Sequence, residues 1–252
     1  MTDCASLARG ARAVASAARI AVLTGAGISA ESGVPTFRDA QTGLWANFRP
    51  EELATPEAFM AHPRRVWEWY AWRRQQLDSV APNAGHFALA ELQRRCPGVT
   101  LITQNVDGLH ARAGSEGVLE LHGNIRRSKC LAEDIVVDTW PESGEVPPRC
   151  PVCGAWLRPD VVWFGEMLPG AIYAAALAAT ENCDVFLSVG TSTVVEPAAS
   201  LPFVALGRGA RVIEINPQPT PLSARASLVL RGASAKVLPE LMRAAWPGPS
   251  LR

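Results

Sequence analysis

Ile20-Ala21-Val22-Leu23-Thr24-Gly25-Ala26-Gly27-Ile28-Ser29-Ala30 is a short apolar run that stops on a glycine turn. Its apolar residues are consecutive rather than alternating, which suits a strand buried on both faces. The same unit recurs outward along the chain. Val99–Thr103 runs into Gln104-Asn105-Val106-Asp107, Val185–Val189 into Gly190-Thr191-Ser192, and Arg211–Ile215 into Asn216-Pro217-Gln218. A last run at 227–230 precedes Arg231-Gly232 and a closing helix near 238–245, while 87–92 and 171–179 read as helices between strands. Strands alternating with helices predict an α/β fold built on a doubly wound parallel sheet. In such sheets ligands bind at the carboxyl ends of the strands, and each polar cluster above falls at such an end.

Two stretches break the rhythm. Residues 40–81 are rich in tryptophan, arginine and proline, and 126–159 carry cysteines, prolines and glycines in the manner of a small metal-stapled module. The expected organisation is therefore a main domain from 1–39, 82–125 and 160–252. A smaller lobe is expected from a helical insertion at 40–81 and a zinc-ribbon-like insertion at 126–159.

Composition narrows the partners. The 252 residues are 48% hydrophobic, and 24 Lys+Arg balance 24 Asp+Glu. A balanced charge gives no global reason to expect nucleic acid or membrane as a partner. No uncharged run is long enough to span a bilayer. Six cysteines are too unevenly spread for a secreted disulfide framework, and Cys150 and Cys153 form a C-x-x-C pair that points to metal or redox chemistry. Residues 7–18, rich in alanine and arginine, could be read as a transit peptide, but the first strand follows at once and a first helix is the preferred reading. A cytoplasmic protein is expected, with a monomer favoured but the oligomeric state left open by the sequence.

Gly25-Ala26-Gly27-Ile28-Ser29-Ala30 fits G-x-G-x-x-A after a strand, a pattern that holds dinucleotides, although glycine turns also end strands for steric reasons alone. A dehydrogenase would place an acidic residue about 20 residues further on. Gly43-Leu44-Trp45-Ala46 stands there instead, with no strand before it, so hydride transfer is disfavoured.

Read onward, the turn continues as Glu31-Ser32-Gly33-Val34-Pro35-Thr36-Phe37-Arg38-Asp39. With Gln104-Asn105-Val106-Asp107-Gly108-Leu109-His110, His122-Gly123-Asn124, Val162-Trp163-Phe164-Gly165-Glu166 and Gly190-Thr191-Ser192, it resembles the sirtuins, NAD-dependent protein deacylases. The likeness runs in order from about residue 20 to 240. It implies a Rossmann-like domain, a zinc-bearing small lobe, and a cleft where NAD, consumed as a co-substrate, meets the acylated lysine side chains of other proteins.

Carried over residue by residue, Gly25, Ala26 and Gly27 would face the pyrophosphate, Phe37 and Arg38 would cover the reactive end of NAD, and Ile28, Glu31 and Thr36 would also belong to the cofactor site. Gln104, Asn105, Val106 and Asp107 would line the nicotinamide and ribose pocket. Gly190, Thr191, Ser192, Asn216, Pro217, Gln218 and Ser234 would hold the phosphate and adenosine portions. Val162, Trp163 and Phe164 would pair in strand fashion with the substrate peptide.

The implied chemistry releases nicotinamide and 2′-O-acyl-ADP-ribose. Asn105 and Asp107 would stabilise an oxocarbenium-like transition state, although turn-forming Asn and Asp would look the same. His122, following an expected strand at 118–121, is the candidate general base, because imidazole takes a proton near neutral pH. His62, His86 and His110 read as structural hydrogen-bonding residues. Mono-ADP-ribosyl transfer, and a non-catalytic NAD or acyl-lysine binding module, stand as the alternatives.

Zinc prefers four tetrahedral ligands, often from two C-x-x-C pairs. Cys150 and Cys153 supply one pair. Cys130 begins the other, but Glu133 stands where its partner should, with Glu133 or Asp134 as a substitute oxygen ligand. One structural zinc on Cys130, Cys150 and Cys153 is expected. Finally, spacing of three on an expected helix puts Tyr70 and Arg73 on one face, where arginine can grip a carboxylate. This Tyr-x-x-Arg pair, with small Ala54 upstream, resembles the class III sirtuins, which remove succinyl and malonyl groups. Packing of an aromatic stripe is the plainer alternative, and deacetylation is retained beside desuccinylation.

Overall fold

The computed structural model describes residues 3–34, 48–140 and 144–247. A first helix, α1 (Cys4–Ser16), is capped by the Asp3 carboxylate, which accepts from the Ser6 N–H. β1 (Ile20–Thr24) follows, buried at all five positions. The chain then makes two short 3-10 turns, Ala26–Ile28 and Ala30–Ser32, instead of a long helix. Helices α2 (Pro56–Ala61), α3 (Pro63–Asp78) and α4 (Ala84–Arg95) lead to β2 (Val99–Thr103), and the short α5 (Leu109–Arg112) leads to β3 (Leu119–Glu120). Three strands come next, β4 (Gly123–Cys130), β5 (Val136–Val137) and β6 (Leu157–Val161). The chain closes with α6 (Gly170–Glu181), β7 (Val185–Val189), α7 (Leu201–Gly207), β8 (Arg211–Ile215), β9 (Leu228–Leu230) and α8 (Ser234–Ala245).

Six strands form one parallel sheet in the order β3-β2-β1-β7-β8-β9. The doubly wound sheet expected from the apolar runs is present. From β1 the chain builds outward to β2 and β3, then returns to β7 beside β1 and builds to the other edge. The order therefore reverses between β1 and β7, where a crevice opens in sheets of this kind.

Period-two geometry sends Val22 to one face of the sheet and Ala21 and Leu23 to the other. On the first face Val22, Leu101, Leu187 and Ile213 pack against Val14 of α1, Leu89 and Leu92 of α4, and Leu238 and Leu241 of α8. On the second, Leu23, Ile102, Phe186 and Val212 meet Ala176 of α6 and Leu201 and Ala205 of α7. Each such leucine or valine contributes about 1.5–3 kcal/mol by leaving water, so both faces must be covered for the sheet to persist.

A second, antiparallel sheet has the order β5-β4-β6. Its strands are polar in sequence, and their charges pair locally. Arg127 bridges Glu120 at 2.7 Å and Asp160 at 2.8 Å. Leu53, Phe59 of α2 and Trp69 and Tyr70 of α3 share a core with Ile125, Val161 and Trp163, so α2 and α3 are cemented to this sheet. Among the described residues, no helix is long and apolar enough to cross a membrane.

Candidate functional site

The turns after β1 and β7 meet main chain against main chain. Gly27 N–H donates to Gly190 O at 2.8 Å, and Gly25 N–H to Val189 O at 3.1 Å. A Cβ on Gly27 would lie 2.7 Å from Gly190 Cα, and one on Gly190, whose φ is +59°, would lie 2.5 Å from Ile28 N. Glycine is required here by the close approach of two backbones, and the Gly27 amide is spent on that contact. Asn216 ties the β8 end to the same place, donating from Nδ2 to Thr191 O at 2.9 Å. Thr191 is buried, while Ser192, Pro217 and Gln218 are exposed beside it. Ser234 is 1% exposed and its hydroxyl has no hydrogen-bond partner. A buried hydroxyl left unpaired is costly, and it marks this end of α8 as a place able to take a polar ligand. Glu31 is engaged elsewhere in part, since its Oε2 accepts the Ala235 N–H at the start of α8.

Under the β2 end lies a buried polar network. Asp107 is 4% exposed. Its Oδ1 accepts the Leu109 N–H at 2.9 Å and its Oδ2 the Ser29 hydroxyl at 2.7 Å. Asn105 donates from Nδ2 to Gly25 O at 3.1 Å and to Ser29 Oγ at 3.2 Å, which leaves its side-chain oxygen for a ligand. His86 Nδ1 accepts the Asn83 N–H at 3.2 Å, so the proton sits on Nε2, 3.3 Å from Ser29 Oγ. Ser29 is thus the hub that joins the glycine turn to Asn105, Asp107 and His86. His110 lies behind, with Nε2 2.9 Å from Thr24 Oγ1, and burial lowers its pKa to about 3. Both histidines are hydrogen-bonding residues, as expected.

His122 follows β3. Its Nδ1 sits 2.9 Å from Gln104 O, and Gln104 N–H in turn donates to Thr24 O at 3.0 Å. A carbonyl only accepts, so Nδ1 carries the proton and Nε2 holds the lone pair. Burial lowers the pKa of His122, opposed by the bond to Gln104, and the ring is neutral at pH 7. Val106 O accepts from Ile125 N–H, fixing the intervening loop to β4.

On α3, Tyr70 and Arg73 share the expected face. Burial pushes the Tyr70 hydroxyl up to about 12, so it remains a donor, and Trp163 Nε1 lies 3.0 Å from its oxygen. Burial also lowers the Arg73 guanidinium, with Tyr70 and then Asp107 opposing that shift. The Arg73 guanidinium lies 5.1 Å from the centre of the Trp69 ring. Ala54 is buried, and its oxygen accepts the Phe164 N–H at 3.0 Å. Val162 N–H donates to His122 O at 2.9 Å, and Trp163 N–H to Glu166 Oε2 at 2.8 Å. The amide hydrogens of Val162, Trp163 and Phe164 are thus all used inside the chain. The Phe164 ring and Met167, by contrast, are exposed. Thr36, Phe37 and Arg38 lie outside the described residues.

The thiols of Cys130, Cys150 and Cys153 lie within 4.8 Å of one another, with Cys130 and Cys153 at 3.4 Å. Zinc bonds to sulfur at about 2.3 Å, which separates tetrahedral thiolates by roughly 3.8 Å, so the three residues fit one structural zinc. Glu133 presents its N–H to Cys130 Sγ at 3.5 Å. Asp134 pairs with Lys129 at 2.6 Å. Among the described residues no carboxylate joins the three thiols.

A match to the Sir2 family spans residues 25–197. The chain belongs to the Sir2 family. It is 51% identical over 243 residues to the NAD-dependent protein deacylase 1 of Pseudomonas aeruginosa, covering 93% of this chain and 97% of that protein. It is 52% identical over 242 residues to the NAD-dependent protein deacylase of Ralstonia nicotianae, covering 96% and 98%. A solved Sir2 homologue in complex with NAD superposes with a TM-score of 0.86 at 47% identity, over 94% of this chain and 93% of that one. Another, Sir2Af2 bound to a myristoylated histone peptide, gives 0.76 at 37% identity, over 96% of each.

Within this Sir2 fold, Ser29, Arg158 and Glu166 belong to the site's immediate support without having been assigned that role from the sequence, whereas His86 is the hydrogen-bonding residue the sequence suggested. Ser29 and Glu166 did lie inside quoted motifs. Their partners, 78 and 8 residues away, carried no periodic signal that would connect them.

Proposed function

We propose that this chain is an NAD-dependent protein-lysine deacylase that removes succinyl, malonyl and acetyl groups. The convergence of five strand ends on one crevice carries the reading. The β1 and β7 turns touch, Asn216 joins them from β8, and Asn105, Asp107 and His122 stand beside them from β2 and β3. The antiparallel sheet with α2 and α3 forms the smaller lobe across that crevice, and zinc on Cys130, Cys150 and Cys153 would brace it without taking part in chemistry.

In this mechanism the acyl oxygen of the modified lysine attacks the anomeric carbon of NAD as nicotinamide departs. Asp107 and the Asn105 side-chain oxygen stabilise the positive charge that develops on the sugar; both are held rigid by Ser29, so they need not reorganise. His122 Nε2 then accepts a proton from a ribose hydroxyl, which attacks the acyl carbon. Collapse and hydrolysis give free lysine and 2′-O-acyl-ADP-ribose. Tyr70 and Arg73 receive the carboxylate of a succinyl or malonyl group, an interaction strengthened by the buried setting. Cys4, Cys96 and Cys183, which stand apart from the zinc ligands as thiols, accord with the reducing cytoplasm.

The test compares one peptide bearing succinyl-, malonyl-, acetyl- or myristoyl-lysine, with and without NAD, by product mass. Desuccinylation that requires NAD and yields 2′-O-succinyl-ADP-ribose supports the reading. Protein carrying ADP-ribose with the acyl group intact would identify a transferase instead. Arg73→Met should reduce desuccinylation far more than deacetylation, and equal loss of both would remove the acyl assignment.

A further inference from the structure

The Tyr70 oxygen is held from behind. Trp163 donates its indole N–H to it at 3.0 Å. An indole nitrogen only donates, so the tyrosine oxygen must accept there, and its own hydrogen is the group left to give. Trp163 is in turn fixed by a clamp. Its main-chain N–H donates to Glu166 Oε2 at 2.8 Å, and the Arg158 guanidinium lies 3.4 Å from the centre of its ring. Arg158 closes the clamp by a bidentate pair with Glu166 and by donating to Val161 O at 2.9 Å. Tyr70, Trp163 and Arg158 are 1%, 2% and 5% exposed, so water does not compete for the Trp163–Tyr70 bond, while Glu166 stays partly in solvent.

We propose that Trp163, clamped by Arg158 and Glu166, is a positioning residue that fixes Tyr70 as a hydrogen donor and thereby sets the preference for acyl groups ending in a carboxylate. The inference rests on the acyl reading above and adds the residues behind it. A carboxylate only accepts hydrogen bonds, so it gains from a donor whose oxygen is already occupied and whose hydrogen has one direction left. An acetyl group has no such need. The clamp therefore acts on the ratio of the two activities, and it does so from β6, a strand that also carries Leu157 against Cys130 and Cys150.

The experiment measures kcat and KM for succinyl- and acetyl-lysine forms of one peptide at saturating NAD. It uses wild type, Trp163→Phe, Tyr70→Phe and the double variant. Trp163→Phe keeps the ring and removes the N–H. The succinyl-to-acetyl ratio of kcat/KM should fall about tenfold, mainly through KM. In the Tyr70→Phe background the same change should leave the ratio where it is, because the two residues act as one unit. Should Trp163→Phe fail to fold, Glu166→Gln and Arg158→Lys carry the same comparison and should lower the ratio in the same direction. Equal loss on both substrates, or additive effects in the double variant, overturns the proposal. A wild type that deacetylates but removes no succinyl group overturns the acyl reading and this inference together. A wild type that desuccinylates, with an unchanged ratio in Trp163→Phe, overturns this inference alone.

Discussion

His122 Nδ1 donates to the main-chain oxygen of Gln104 at 2.9 Å, which leaves Nε2 as the basic nitrogen of the ring. The same oxygen belongs to the segment that carries Asn105 and Asp107, so the base and the charge-stabilising groups are registered to one another through a single loop.

His122→Ala should lower deacylation by about 100-fold to 10,000-fold, the usual loss when a general base is removed. The pH profile gives a second check. Burial lowers the pKa of His122 below the ordinary 6.5, and only the neutral ring can accept a proton. The acid limb of kcat/KM should therefore lie below pH 6.5. Wild-type rates of nicotinamide release and deacylation in the alanine variant would dismiss His122 as the base.

Ser29→Ala removes the donor to Asp107 and the acceptor for Asn105 at one stroke. The buried carboxylate loses a partner, at a cost of about 1–3 kcal/mol in stability. Urea melts should show that cost, and single-turnover assays should show slower nicotinamide release beyond any effect on NAD affinity.

The strands were legible because burial on both faces writes itself as runs of consecutive apolar residues, as in residues 20–23 and 185–187. The switch point followed from those runs only once their order was known. β4 and β6 were not legible as strands. Gly123–Cys130 and Leu157–Val161 carry Arg126, Arg127, Lys129, Arg158 and Asp160, whose charges cancel across space and leave no alternation to read. The residues at the strand ends could be named from their motifs, but not Ser29 as their hub. Its contact with Asp107 joins positions 78 residues apart.

His110 supplies a pH-dependent stability. Its folded pKa of about 3 lies below the unfolded value near 6.5, so the unfolded chain binds the extra proton between them. The stability linked to this neutral ring is complete above pH 6.5 and is lost as pH falls toward 3, by up to about 1.4 kcal/mol per pH unit. Denaturant melts from pH 7 to 4 should show the slope, and His110→Gln should flatten it by one proton's worth. An identical slope in the variant would exclude His110 as its source.

Zinc analysis should find one ion per chain, and a chelator should lower the melting temperature. Glu133→Cys, which restores a second C-x-x-C pair, should resist the chelator longer than wild type. Cys150→Ser should bind no zinc and melt as the chelated protein does. Unchanged melting on chelation would mean that packing alone holds the three thiols together.

The contact between Gly27 and Gly190 has a consequence for how this crevice can change. What meets there is peptide backbone on both sides, the one part of a residue that substitution leaves the same. A larger side chain at either position cannot be excused by a smaller one opposite, because nothing opposite can shrink. Randomising both codons together should return glycine at each independently, with no exchanged pairs. The two loops are bound into a single inherited unit, while the residues around them remain open to selection.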